Sequence, residues 1–246
     1  MDNLDALKRH LKDVEVIATD VDDTITIKGL LTSGVIRSIE YINSIGKKVV
    51  LVTGRSGGAC TTLSQYLPVE MVIAENGGVI IKDHDIKTID LPRDHKTKLH
   101  KCFKDIKRLF PGIREAQDNP FRLTDLSMDN LSVPTEALHD IRSVAESYGL
   151  TITVSSVQTH ILSQGCNKAF TLKSFIKDKK IVTIGDSIND ESMFNPELFP
   201  LSIGVANIRH YIDRLKYKPR WIMSKEQGEG FIEFVDVLKS ITHIKT

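Results

Sequence analysis

The chain has 246 residues, 41% of them hydrophobic, enough to bury a sizeable core and too apolar for a disordered chain. Its 33 basic and 32 acidic side chains leave a formal charge of +1, so no global field argues for a nucleic-acid or membrane partner. Cys60, Cys102 and Cys166 show no CxxC or Cys/His spacing, which fits reduced thiols in a cytoplasmic protein better than disulfides or zinc.

The N-terminal MDNLDALKRHLKDV predicts a short amphipathic helix with Leu4, Leu7 and Leu11 on one side, and it lacks the apolar core of a signal peptide. No apolar run approaches the ~20 residues that span a bilayer. Residues 14 to 19 read as a strand, 32 to 46 as a helix closed by Gly46, and 47 to 54 as a second, mostly apolar strand, a β-α-β unit. A helix over 58 to 67 leads into the apolar run at 71 to 74, which ends in ENGG. The rhythm returns with a helix over 167 to 178, a strand at 181 to 185, a short helix near 188 to 195, a strand at 201 to 205, then WIMS and a closing helix over 228 to 240. Strands apolar on both faces and separated by helices predict an α/β fold, a Rossmann-like doubly wound parallel sheet.

Residues 82 to 163 differ in texture. They carry Pro92, Pro111, Pro120 and Pro134, a basic helix over 95 to 110, an amphipathic helix over 135 to 148 and the alternating, β-branched stretch at 151 to 163. This predicts a smaller α+β domain, 82 to 163, inserted into a core built from 1 to 81 and 164 to 246 and joined near Gly77-Gly78 and Gly165.

Ligand sites in open parallel sheets lie beyond the C-terminal strand ends. One predicted strand runs into Asp20, Asp22 and Asp23, and another ends in Gly185 and Asp186, with Asp190 four residues on. Taken alone, DD before Thr is ordinary turn chemistry, and GDS before ND is an ordinary helix cap. Taken together, the two acidic strand ends would build an oxygen-rich site suited to Mg²⁺, whose charge would relieve the repulsion among the carboxylates.

These residues carry a resemblance. DVDDT at 20 to 24, LVTGR at 51 to 55, NK at 167 and 168 and GDSIND at 185 to 190 resemble, in order, the four motifs of the haloacid dehalogenase-like hydrolase superfamily. ENGG at 75 to 78 and the position of the insert resemble the Cof-type branch with its large cap. The stretch HILSQGCNKAF is similar to archaeal-type phosphoglycolate phosphatases. The resemblance implies an Mg²⁺-dependent phosphatase in which Asp20 attacks phosphorus to form an aspartyl-phosphate and Asp22 serves as acid and then base. It implies metal held by Asp20, the backbone carbonyl of Asp22 and Asp186, with Asp190 beside the metal or orienting Lys168. Thr53, Gly54, Lys168 and Asn189 would line the phosphate site. The family commonly has Gly or a small residue where Asp23 stands, so Asp23 is expected to bend that loop differently.

The core sees only phosphate, so selectivity is expected from the insert, where Arg122 would pair with a second anionic group and His160 would bond a hydroxyl or carboxylate. For each the plainer reading, an exposed arginine or a histidine satisfied within the insert's own sheet, is the commoner one. The implied partner is a small phosphorylated metabolite such as phosphoglycolate or a sugar phosphate, acted on by a monomer or homodimer. Two alternatives remain at this point: a phosphomutase using the same aspartyl-phosphate, and a catalytically silent protein that keeps the fold as a binding scaffold.

Overall fold

The amphipathic segment at the start of the chain is helical over Leu4–Leu11 (α1), with Leu7 and Leu11 buried in the main core cluster alongside Phe234 and Leu238. The computed structural model describes residues 4–176 and 179–242; positions 1–3, the side chain of Leu4 and positions 177–178 of the predicted helices lie outside the described residues. Strands Val16–Thr19 (β1), Lys48–Val52 (β2) and Met71–Ala74 (β3) alternate with helices Ser33–Ser44 (α2) and Gly57–Tyr66 (α3). Thr32 and Ser56 cap these helices with their side chains, accepting from Val35 and Ala59 amides, and Gly46 ends the first with a φ of +77° that other residues rarely adopt.

After β3 the chain does not enter the insert at once. Val79–Lys82 (β4) and Asp85–Thr88 (β5) form a hairpin that extends the core sheet antiparallel to β3. Residues 82 to 88 therefore belong to the core, and the boundary expected at 82 moves past Thr88. The hairpin turns at Asp83 and His84, both with positive φ (51° and 67°), the geometry that matches the twist of two-residue hairpins. Its second strand is exposed along its whole length, so no alternation marks it in the sequence.

The insert then builds His95–Leu109 (α4), Asp125–Asp129 (β6), Leu138–Ser147 (α5), Leu150–Val154 (β7) and Gln158–Ser163 (β8). Its sheet is antiparallel in the order β6-β8-β7, and α4 and α5 cover it through Leu99, Cys102, Phe103, Ile106, Ile141 and Ala145. The alternating stretch at 151 to 163 thus makes two strands, turned at residues 155 to 157.

The chain returns through Lys168–Phe175 (α6), Ile181–Gly185 (β9), Ser202–Gly204 (β10), Trp221–Ile222 (β11) and Gln227–Thr242 (α7). The core sheet runs β11-β10-β9-β1-β2-β3-β4-β5, parallel from β11 to β3. It is buried on both faces, one against α2 and α7 and the other against α6, which accounts for strands with no polar face. Neighbours β1 and β9 run in register, Thr19 beside Ile184, so the segments following them, with Asp20 and Asp186, emerge side by side. Cys60, Cys102 and Cys166 are all buried free thiols, and burial pushes each well above the ordinary range of a thiol. Among the described residues no helix is long and apolar enough to cross a membrane.

Candidate active site

Asp20 follows β1 directly, its amide bonded to the Ile184 carbonyl at 2.9 Å, so the carboxylate is carried by the centre of the sheet. Its Oδ1 accepts from Lys168 Nζ at 2.7 Å, and the same ammonium donates to Asp190 Oδ1 at 2.7 Å. Lys168 is the first residue of α6, capped by Asn167, whose Oδ1 accepts from the amides of Ala169 and Phe170. It is one of the largest fully buried side chains. Burial works against its charge, but Asp190 and Asp20 outweigh burial and hold it above the usual lysine range.

Asp190 Oδ2 accepts from the amides of Asp186 and Ser187, closing the turn after β9. A side chain at Gly185 would lie 2.6 Å from the Asp190 Cβ, which requires glycine there. Asp186 is held by Thr24 Oγ1 and Asn207 Nδ2, both at 3.0 Å. Sequence reasoning assigned neither partner, because they come from separate loops. Asn207 also donates to the Asp23 carbonyl, and Gln227 Nε2 donates to the Asp23 carboxylate. Asp23 itself has φ +56°, the left-handed region that aspartate tolerates better than most residues; the loop keeps that turn without glycine.

One oxygen from each of Asp20, Asp186 and Asp190 falls within 4.8 Å of the others, all three residues buried. Burial, then neighbouring carboxylates, push Asp20 and Asp186 well above the usual carboxylate range, with Lys168 opposing the rise at Asp20. Counting Asp22 and its partner Arg55, four carboxylates face two cations. A buried, oxygen-only site with an excess of negative charge fits a hard divalent cation such as Mg²⁺.

Asp22 stands apart from that cluster. Its carboxylate is clasped by Arg55, with Nε 2.9 and 3.1 Å from the two oxygens and Nη2 also on Oδ1. Arg55 lies within the LVTGR motif, yet nothing in the spacing told of this pairing. Thr53 is buried at the end of β2, and its Oγ1 accepts from the Arg55 amide, which leaves the hydroxyl proton to donate elsewhere.

Asp20, Asp22, Gly54, Arg55, Ser187 and Asn189 line one side of a cavity of about 450 Å³, and loops at 114 to 118 and 155 to 158 of the insert, with His160, line the other. His160, on β8, is therefore at the cavity wall. Arg122 does not line it. The Arg122 guanidinium is fully buried, donating to Asp118, Asp125, Gln158 and the Gly54 carbonyl, so the expectation that it pairs with a second anionic group of a ligand is corrected. Its donors are already engaged, and Arg122→Ala is expected to cost about 3–5 kcal/mol of stability by stranding buried Asp125, read by chemical denaturation.

ENGG also gains a structural role. Glu75 is buried, with φ +50°, and accepts from the amides of Gly57 in the core and of Leu123 and Thr124 in the insert, as well as from the Thr124 hydroxyl. A side chain at Gly78 would fall 2.0 Å from the Thr124 hydroxyl, so the second glycine permits the insert to seat this closely.

Against known proteins, residues 17–119 match the family model described as haloacid dehalogenase-like hydrolase. The chain is 29% identical to a phosphoglycolate phosphatase of Methanothrix thermoacetophila, covering 92% of this chain and 98% of that protein. It is also 29% identical to a phosphoglycolate phosphatase of Thermoplasma volcanium, over 88% and 94% of the two chains. Among solved structures, Thermoplasma acidophilum 0175 superposes with a TM-score of 0.73 at 24% identity, covering 91% and 99%. A sucrose-phosphatase from Synechocystis, in complex with sucrose and phosphate, superposes at 0.67 with 13% identity, covering 92% and 98%. Two acidic strand ends thus meet over one buried lysine in a doubly wound sheet, in a chain whose residues 17–119 match the haloacid dehalogenase-like hydrolase model and which over nearly its whole length is similar to phosphoglycolate phosphatases.

Proposed function

We propose that the chain is an Mg²⁺-dependent phosphatase that hydrolyses small phosphorylated metabolites through an aspartyl-phosphate on Asp20. The observation that carries this is the pairing of roles at one end of the cavity. Asp20 is steered by Lys168, while Asp22 stands two residues on, outside the carboxylate cluster and beside the cavity. In the first step an Asp20 oxygen bonds to phosphorus as the bond to the leaving oxygen breaks, and Asp22, which must first exchange its Arg55 ion pair for a proton from solvent, gives that oxygen its proton. In the second, Asp22 takes a proton from water, whose oxygen attacks the phosphorus and returns Asp20 as a carboxylate. Lys168 and the Thr53 hydroxyl would contact the phosphoryl oxygens, and Asn189 the rim of that site. Arg55 fixes the Asp22 carboxylate against the cavity wall.

Asp20, Asp186 and the Asp22 backbone carbonyl would hold the metal, which when bound neutralises charge on the phosphoryl group. Asp190, with both oxygens engaged by Lys168 and backbone amides, would position rather than ligate. A cavity of about 450 Å³ suits a compact metabolite, and the relatives named above point to phosphoglycolate, the sucrose-phosphatase fold to a sugar phosphate.

Phosphate release from an aryl phosphate is expected to require Mg²⁺, to stop on chelation and to be poorly supported by Ca²⁺, whose larger and looser shell suits in-line transfer badly. Undiminished release in excess chelator would count against the proposal. A panel of phosphorylated metabolites, scored for free phosphate and for isomerised product, separates a phosphatase from a phosphomutase.

A further inference from the structure

Three polar atoms, from two side chains, converge beside Gly54 at the cavity wall. A side-chain carbon on Gly54 would lie 3.1 Å from His160 Nε2, 3.1 Å from Asn76 Oδ1 and 3.3 Å from Asn76 Nδ2. Both amide atoms of Asn76 are buried without a hydrogen-bond partner. A buried amide with neither atom bonded is costly, and its presence beside a cavity marks a place where another polar atom belongs. Gly54 and His160 both line that cavity.

The state of His160 follows from its other nitrogen. Nδ1 lies 3.0 Å from Asp125 Oδ2, and Asp125 Oδ1 accepts from Arg122 at 2.7 Å. Burial works against the charge of Asp125, but Arg122 and the His160 bond outweigh burial and hold its carboxyl below the usual range. An ionised carboxylate only accepts, so the 3.0 Å approach to Asp125, closer than the 3.5 Å one from Arg122 to the same nitrogen, puts the hydrogen on Nδ1. Burial also lowers the imidazole below its ordinary range, leaving the ring neutral and Nε2 with a bare lone pair.

We propose that His160 Nε2, with the Asn76 amide beside it, forms a subsite that binds a hydroxyl of the substrate's leaving group rather than a carboxylate. A hydroxyl donates to Nε2 and still accepts from the Asn76 NH₂, whereas a carboxylate would set lone pair against lone pair. This rests on the phosphatase reading and narrows it: of the two substrate kinds named there, the subsite favours a polyol or sugar phosphate over phosphoglycolate.

Calorimetry on Asp20→Asn with Mg²⁺ tests it, using two esters of similar size, glycerol 3-phosphate and propyl phosphate. The hydroxylated ester is expected to bind at least about tenfold tighter, and the preference to vanish in Asp20→Asn/His160→Phe, which keeps a ring but no nitrogen. Equal binding of the two esters, or a preference that survives the second substitution, overturns the subsite. Should the phenylalanine variant not fold, ¹⁵N-histidine spectra of the unsubstituted chain decide. The His160 Nε2 signal should be that of an unprotonated nitrogen and move with glycerol 3-phosphate but not with propyl phosphate; a protonated Nε2 overturns the proposal. If the binding preference holds yet the unsubstituted chain releases phosphate from neither ester, the phosphatase reading fails and the subsite stands.

Discussion

Asp20→Asn is expected to lower phosphate release by about 10⁴-fold or more while leaving the fold intact. An amide has the shape of the carboxylate but is a very weak nucleophile. Stability should hold because the substitution removes one negative charge from a buried group that already has too many: Lys168 keeps Asp190 as its partner, and burial disfavours the Asp20 charge in the first place. Urea denaturation without metal should therefore place the variant within about 1 kcal/mol of the parent. Rapid turnover by this variant would remove Asp20 from the role of nucleophile.

Lys168→Met is expected to do the opposite, striking stability as well as activity. The methionine matches the volume, but the two carboxylates that shared the ammonium remain buried without it. Breaking such a pair from one side costs about 3–5 kcal/mol, because the charge left behind has no compensation. The loss should be greatest in chelator and partly recovered with Mg²⁺, since a cation bound to the same carboxylates stabilises only the folded chain. Denaturation curves with and without Mg²⁺ measure both effects. A loss under about 1 kcal/mol in chelator would show that the ammonium is not what makes the acidic cluster tolerable.

The parts of this site that could be read from sequence are those in which chemistry and strand end are adjacent in the chain. Asp20 and Asp186 each follow an apolar strand, so local pattern marked both; Lys168 came into view only through the resemblance of NK to a family motif, and its capping asparagine only in the fold. The clasp of Arg55 on Asp22, the support of Asp186 by Asn207 and the burial of Arg122 depend on segments brought together only by the fold. A side chain that is saturated and one that is free look alike in a sequence, which is why Arg122 read as a contact for ligand. Strand β6, DLSMD, has aspartate at both ends and gave no apolar signal; its first aspartate is buried because Arg122 and His160 meet it there. The hairpin of β4 and β5 escaped because Asp-His turns it where Asn-Gly is the common signal, and because its outer strand has no buried face.

The glutamate that opens ENGG has a mechanical consequence. Glu75 ties the core to residues 123 and 124, and the Arg122 bond to the Gly54 carbonyl and the close seat of Thr124 on Gly78 lie beside it. These ties act as a fulcrum. A rigid body held there cannot lift away evenly: any widening of the cavity has to proceed as rotation about the tied edge, with displacement growing in proportion to distance from it. Travel on any such rotation is therefore expected to be greatest at the loops farthest from the tie, with the wall beside Gly54 keeping its shape.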